Sequence, residues 1–387
     1  MIRQRYLEVV KKFEPYSVLL DAGATPAQVK EAIIALLSPY VADKELLRQL
    51  AVTVLANEAA CIGQLSSRPD WKSLLDLAFS IRKGAIETNK SKSFETIAAF
   101  EVPIREAQRK YSLQIVFEQS KEGLGNDEYA FEVFRIIGAL IESTIQPFVK
   151  ELYCLFLIGK GLSVDSATVL HTDFGKIAGQ FEKLLDDSSL LSPPPWNIRL
   201  NQWRNIAQHH SYIVSGKSIV AYYGKSNPSH HVELSREELF AVSKELIRRL
   251  GALKSSREIT TLNHLDELRP LLPATDRDVY CIATELGAAF ATQGFALLDL
   301  KENNGTLVAK FLDTSPNAGP SRHFHCSQFI VPIAQRFPDL GVQVHLQSST
   351  TQDRWMFSAG ATDLKDVLRG DNPLLKLSEV MKFQKNP

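Results

Sequence analysis

Apolar residues recur at intervals of three and four over most of the first 270 positions, the period of amphipathic helices. Thr25-Pro26 sets an N-cap before a proline at the first helical position and predicts a helix from Ala27 to Leu37. Pro69-Asp70-Trp71 opens another through Leu74, Leu75, Leu77 and Ala78, and Lys90-Ser91-Lys92-Ser93 reads as a loop before a further helix. Lys121 to Asn126, with Gly123 and Gly125, reads as a joint. Beyond it Phe131, Val133, Phe134, Ile137, Leu140, Ile141, Phe148 and Leu152 form the core stripe of a long helix that Pro147 should kink. A second helix is expected near Asp165 to Leu185, with His171 as a surface or capping residue.

The pattern then changes twice. After a turn at Ser192-Pro193-Pro194-Pro195, Leu200, Trp203, Ile206 and Ala207 mark a short helix, followed by a β-like run from Ser218 to Gly224. Ser235-Arg236-Glu237-Glu238 is a capping box that starts the next helix. Lys254 to Pro273, with Ser255-Ser256, Pro270 and Pro273, reads as a linker. Beyond it a helix from Asp276 to Gln293 stops at Gly294, and Phe295–Leu300 and Thr306–Leu312 flank the hairpin signal Glu302-Asn303-Asn304-Gly305. A helix from Ser327 to Phe337, a second hairpin of Val342–Leu346 and Arg354–Phe357, and a last helix near Asp363 complete the chain. The expected architecture is mainly α: a helical region over 1–120, a helical domain with a small β-hairpin over 125–255, and an α+β domain with a mostly antiparallel sheet over 275–387.

With 44 basic and 44 acidic residues the formal charge is zero, which argues against a surface that wraps nucleic acid throughout. The distribution matters more. No acidic residue lies between Asp187 and Glu233, while Arg199, Arg204, Lys217 and Lys225 do, so a local basic surface is compatible with RNA. Cys61, Cys154, Cys281 and Cys326 are far apart, and the opening Met1-Ile2-Arg3-Gln4-Arg5-Tyr6 has no apolar core of a leader, so a reducing cytoplasm is expected. The greasiest segment, Phe131 to Ile158, is interrupted by Arg135, Glu142, Pro147, Lys150 and Glu151, and no membrane span is expected.

The segment Trp203-Arg204-Asn205-Ile206-Ala207-Gln208-His209-His210 carries the strongest chemistry. A guanidinium forks onto phosphate oxygens, and an imidazole takes and gives protons near neutrality, so together they serve RNA cleavage without a metal. At about 100° per residue, Asn201, Arg204, Asn205, Gln208 and His209 share the polar face, whereas His210 falls on the apolar stripe. His209 is then the reactive candidate and His210 a packed residue. Arg204 and His209 point about 140° apart on a straight helix, so either the helix is irregular or a second subunit completes the site. The plainer reading is a solvated helix face that happens to hold an Arg and a His.

Arg204-Asn205-x-x-x-His209, with helices before it and a Pro-rich turn leading in, resembles the R-x(4–6)-H signature of HEPN domains, over roughly residues 125–255. The resemblance implies a metal-independent endoribonuclease, often a toxin or phage-defence effector, working as a homodimer with motifs facing across the interface. A separate antitoxin or defence-system partner is implied with it. Many such motifs carry Tyr two positions after the His; here Tyr212 is three after His209 and two after His210, so the family pattern leaves the histidine open. Arg204, Asn205 and His209 are the catalytic candidates and His210 and Tyr212 the accessory ones. Arg199, Gln208, Lys217 and Lys225 are the RNA-binding candidates.

In that chemistry His209 moves the proton of the ribose 2′-OH, Arg204 holds the phosphorane's charge, and Asn205 orients His209 or the phosphate, leaving a 2′,3′-cyclic phosphate. No cofactor or metal is expected. His323-x-His325-Cys326 is too small a ligand set without a partner such as His345, and Ser229-His230-His231 reads as a turn after Asn227-Pro228. Walker, HExxH, GxSxG and Rossmann signatures are absent. The competing function is a non-catalytic HEPN scaffold that binds RNA or protein, with the C-terminal domain setting substrate choice.

Overall fold

A computed structural model describes residues 26–51, 55–116, 123–224, 230–273, 286–287, 290, 294–314, 320–348, 354–370 and 373–385. The chain is mainly α with some β, and it divides into two compact units. One holds Ile33–Gln114 and Gln119–Thr275; the other holds Met1–Ala32, Ile115–Glu118 and Asp276–Pro387.

The helical unit is built from α1 (Pro26–Leu37, from Ile33), α2 (Lys44–Leu50), α3 (Ala56–Ser66), α4 (Pro69–Thr88), α5 (Lys90–Ala99) and α6 (Glu101–Val116). Asn89 caps α5 by accepting from the Lys92 N–H, so Lys90 to Ser93, expected as a loop, is that helix's first turn. α4 buries Trp71, Leu74, Leu75, Ala78, Ile81 and Ala85 at helical spacing.

Next come α7 (Asn126–Ala139), a π-turn (Leu140–Ile145) and α8 (Gln146–Gly159). The irregularity expected at Pro147 sits one step earlier, in the π-turn, and Pro147 occupies the start of α8, where a missing N–H is tolerated. α8 is buried continuously from Phe148 to Leu155, which makes it the central helix, packed on α4. The expected single helix over 165–185 is two, α9 (Ser166–His171) and α10 (Phe174–Leu184). Thr172 is extended, and Asp173 restarts the chain by accepting from the Lys176 N–H.

After a single 3-10 turn at Ser188–Leu190, α11 (Leu200–His209) leads into β1 (Tyr212–Ser215), β2 (Ser218–Tyr223) and β3 (His230–Leu234), an antiparallel sheet in the order β1-β2-β3. His230 and His231 are therefore strand residues and not turn residues, while Ser229 lies outside the described residues. Ser235 and Glu238 form the expected capping box of α12 (Arg236–Asn263). That helix runs through the expected linker. Ser255, Ser256, Arg257 and Ile259 are all buried on it, and α13 (Leu265–Leu268) follows.

The expected boundary near residues 120–125 is likewise no boundary of packing. Glu151 of α8 binds Arg82 of α4 at 2.7 Å and Arg257 of α12 at 2.9 Å, and Arg257 also reaches Glu101 of α6 at 2.7 Å. Charges this deep are tolerable only when paired. Helices from both sides of the expected joint thus share one interior.

The second unit carries β4 (Phe295–Asn303), β5 (Thr306–Asp313), α14 (Pro320–Ser327), α15 (Ile330–Arg336), β6 (Gly341–Ser348), β7 (Arg354–Ala359), α16 (Ala361–Arg369), α17 (Pro373–Val380) and β8 (Lys382–Lys385). The sheet order is β4-β5-β6-β7-β8. Both expected hairpins form, yet β5 and β6 pair in parallel, because two helices carry the chain back between them; the sheet is mixed and not simply antiparallel. β8, Lys-Phe-Gln-Lys, is a strand the sequence pattern does not announce.

Leu307, Phe311, Val342, Val344, Leu346 and Phe357 pack against Ile330, Ile333 and Leu364 of the helices and against Phe329, the residue before α15. His323 and Cys326, buried on α14, are helical residues and not a loop-to-helix junction. His345 points away from the face of Val344 and Leu346. Among the described residues no group of three or more His, Cys, Asp or Glu could hold a metal ion. Most of the expected helix Asp276 to Gln293 lies outside the described residues. No described helix is long and apolar enough to cross a membrane.

Candidate functional site

α11 is placed by its apolar stripe. Leu200, Trp203 and Ile206 are buried, with Trp203 fully enclosed, so Gln208 and His209 are carried outward and Arg204 and Asn205 lie half-buried, whereas Asn201, expected on the polar face, is buried in the first turn. The helix ends because His210 takes a left-handed conformation (φ 50°, ψ 39°) and turns its N–H back to the Ile206 carbonyl. This corrects the expectation for His210. It is not on the helix at all, and so not a packed member of the stripe: it is exposed, its ring stacked on Phe131 with centroids 5.7 Å apart and 10° between planes.

Arg204 lies half-buried. Its Nη1 donates to Glu142 Oε2 at 3.1 Å, and its Nε and Nη2 donate to Asn205 Oδ1 at 3.3 and 3.0 Å. Asn205 therefore orients Arg204, whereas the sequence assigned it to His209 or the phosphate. A guanidinium has five N–H donors, so these bonds fix its plane and leave donors for an incoming anion. His209 is exposed at the last position of α11.

Glu142 is the residue that sequence reasoning missed as a site member. It lies 62 positions before Arg204 and sits in the π-turn, a helix irregularity often found at functional sites. The available signal was a lone carboxylate inside the greasy run Leu140 to Ile145. Lys150, two turns further along the same helix stack, donates to the Leu170 carbonyl at 2.8 Å. Burial holds its pKa below the ordinary lysine value, against the opposing pull of Asp173 and Glu142.

The other candidates separate into two groups. Arg199, at the N-cap of α11, is committed to Glu182: its Nε donates to Oε2 at 2.7 Å and its Nη2 contacts the same oxygen, which removes it from the basic surface. Tyr212 stacks on Phe134 at 4.3 Å and lies edge-on to His210 at 6.3 Å. Burial, helped by the Asp127 charge, pushes its phenol pKa up. Gln208 is exposed beside His209, Lys217 is exposed in the β1–β2 turn, and Lys225 lies outside the described residues.

Arg204, Asn205 and Glu142 are thus brought together, and His209 and Gln208 stand at the open end of the same helix. α11 is regular as far as His209, so Arg204 and His209 leave it on flanks about 140° apart, about 7.5 Å along the axis. Comparison of the chain with protein-family models, with curated proteins and with solved structures gives no match.

Proposed function

We propose that this chain is a metal-independent endoribonuclease of the HEPN type, acting as a homodimer. The observation that carries the reading is the pairing at α11: a guanidinium fixed in plane by Asn205 and Glu142, and an exposed imidazole five residues later at the helix end. The first suits a scissile phosphate and the second suits transfer of the 2′-OH proton. With the helix regular through His209, irregularity does not bring the two groups together. A second subunit facing the first then supplies the complementary His or Arg to each site. Cytoplasmic action as a toxin or phage-defence effector, with a separate antitoxin, belongs to the same reading.

Incubation of the purified protein with total RNA in EDTA tests it. The expected result is cleavage that persists in chelator and leaves 2′,3′-cyclic phosphate ends. Cleavage only with added divalent metal, or ends carrying 3′-hydroxyls, overturns it. One observation favours a second reading, a non-catalytic RNA- or protein-binding scaffold: Glu142 already neutralises Arg204, as it would in a purely structural pair. Binding of RNA without cutting under any of these conditions selects that alternative.

A further inference from the structure

The sheet register sets each strand histidine of β3 across from a tyrosine of β2. Tyr223 faces His230 with ring centroids 5.6 Å apart and planes tilted by 33°; Tyr222 faces His231 at 6.3 Å and 45°. Successive strand residues point to opposite sides, so the two ring pairs lie on opposite faces of the sheet.

Ile219 and Ala221, both fully buried, mark the inner face of β2, the strand that packs on α11. Tyr223 continues that face two residues beyond Ala221. The Gly224 N–H donates to Gln202 Oε1 at 3.2 Å and fixes this end of β2 beside Gln202. Gln202 and His209 are seven residues apart on nearly one helix stripe, about 10 Å along the axis. Half-buried Tyr223 and exposed His230 therefore present two rings alongside the His209 stripe. The chain around them has no carboxylate from residue 188 to residue 232, and the next one, Glu233, lies on the outer face, held by Ser218 Oγ at 2.6 Å. Tyr222 and His231 share that outer face with Ile213 and Glu233.

We propose that the Tyr223–His230 pair is a stacking platform for an unpaired base of single-stranded RNA whose scissile phosphate lies at His209, the C-terminal end of α11. RNA as the ligand rests on the ribonuclease reading above; the choice of unpaired bases comes from the platform itself. A flat aromatic face accepts any base, but a base inside a duplex has both faces covered by its neighbours, so the platform admits loops, bulges and ends. The separation of about 10 Å matches about three stacked nucleotide steps of about 3.4 Å, or fewer when the strand is extended. The segment that carries the platform brings no carboxylate of its own to repel the phosphates of that strand.

Fluorescence anisotropy of a short labelled single strand with 2′-O-methyl riboses, which lack the attacking hydroxyl, measures binding apart from cutting. The full-length protein should bind this strand about tenfold more tightly than the same strand in a duplex, and Tyr223→Ala should weaken it about tenfold at an unchanged melting temperature. Tyr223→Phe should keep the affinity, and Tyr222→Ala, on the outer face, should stay within about twofold. Should Tyr223→Ala misfold, Tyr223→Leu, of similar bulk without a ring, must show the loss. Equal affinity for strand and duplex, or a folded Tyr223→Ala or Tyr223→Leu with unchanged affinity, overturns the platform and leaves the cleavage reading intact if cyclic-phosphate ends still form. A wild-type protein that neither binds the strand nor cuts RNA overturns both.

Discussion

Two arginine–glutamate contacts in the helical unit have the same chemistry and opposite surroundings. Arg82 and Glu151 meet at 2.7 Å with both side chains fully buried, and Arg257 completes the cluster at 2.9 Å from the same carboxylate. Arg204 and Glu142 meet at 3.1 Å, but their side chains are 17% and 41% exposed. In the first case neither charge can be reached or exchanged, so the pairing can only hold helices in register. In the second the counter-ion is open to solvent, so an anion of higher charge can compete for the guanidinium. Residue type and distance are nearly identical, so the surroundings alone seal Arg82 into its pair and leave Arg204 open to an outside anion.

Breaking the sealed contact should have the largest effect. Glu151→Ala leaves Arg82 and Arg257 buried without their shared carboxylate and should cost about 3–5 kcal/mol, enough to threaten folding at ordinary temperature. Chemical denaturation followed by circular dichroism measures this. A loss below about 1 kcal/mol would mean that water reaches the cluster. For the same reason a chain ended near Leu253 discards Arg257 and part of the buried face of α12, so it should fail to fold as a cleavage-competent fragment.

The open contact should answer in activity instead. Arg204→Ala and His209→Ala should each reduce RNA cleavage by about 10²–10⁴-fold while shifting unfolding free energy by less than about 1 kcal/mol. Mixing the two inactive variants should restore part of the activity if each site draws on both subunits. Full activity of a strictly monomeric protein in sedimentation would break the dimer reading.

The second unit adds a pH-dependent contrast. Burial, aided by the Arg322 charge and opposed by Asp313, lowers the pKa of His325 to about 4 from 6.5. The folded state thus favours the neutral ring. As pH falls below about 6.5 the unfolded chain takes up the proton first, so the stability contributed by neutral His325 is complete above that value and is lost progressively toward pH 4. The loss should amount to roughly 3 kcal/mol. Melting of the sheet unit followed against pH should show it, and His325→Phe should flatten the curve. An equally steep curve in that variant would assign the acid sensitivity to another group.

Local signals made much of this architecture legible: the proline and capping-box starts of α4 and α12, the apolar stripe of α11, and the turn between β4 and β5 are all written within a few residues. Three features were not legible for one common reason. The parallel pairing of β5 with β6, the burial of Arg257 inside the apparent linker, and the contact of Glu142 with Arg204 each depend on partners tens to more than a hundred positions away, which periodicity does not see. Lys-Ser-Lys-Ser at residues 90–93 misled for the opposite reason: its polar composition suits a loop, but one capping contact from Asn89 decides for helix. At the site, the polar face was readable from Arg204 to His209, though not at buried Asn201, and failed one residue later, because a helical wheel assumes a helix that His210 has already left.

That last residue gives the smallest expected effect and a sharp test of the geometry. Were His210 packed in the apolar stripe, replacing it would open a core cavity costing about 2–5 kcal/mol. In the structure its ring is exposed and stacked on half-exposed Phe131, an arrangement worth about 0.5–1.5 kcal/mol at most. Its left-handed backbone is mildly unfavourable for any residue except glycine, so His210→Gly relieves strain as it removes the stack. His210→Ala should therefore lose about 1 kcal/mol, and His210→Gly should lose less than His210→Ala. Denaturation of the two variants side by side decides between the arrangements, and a loss of several kcal/mol in both would return His210 to the core.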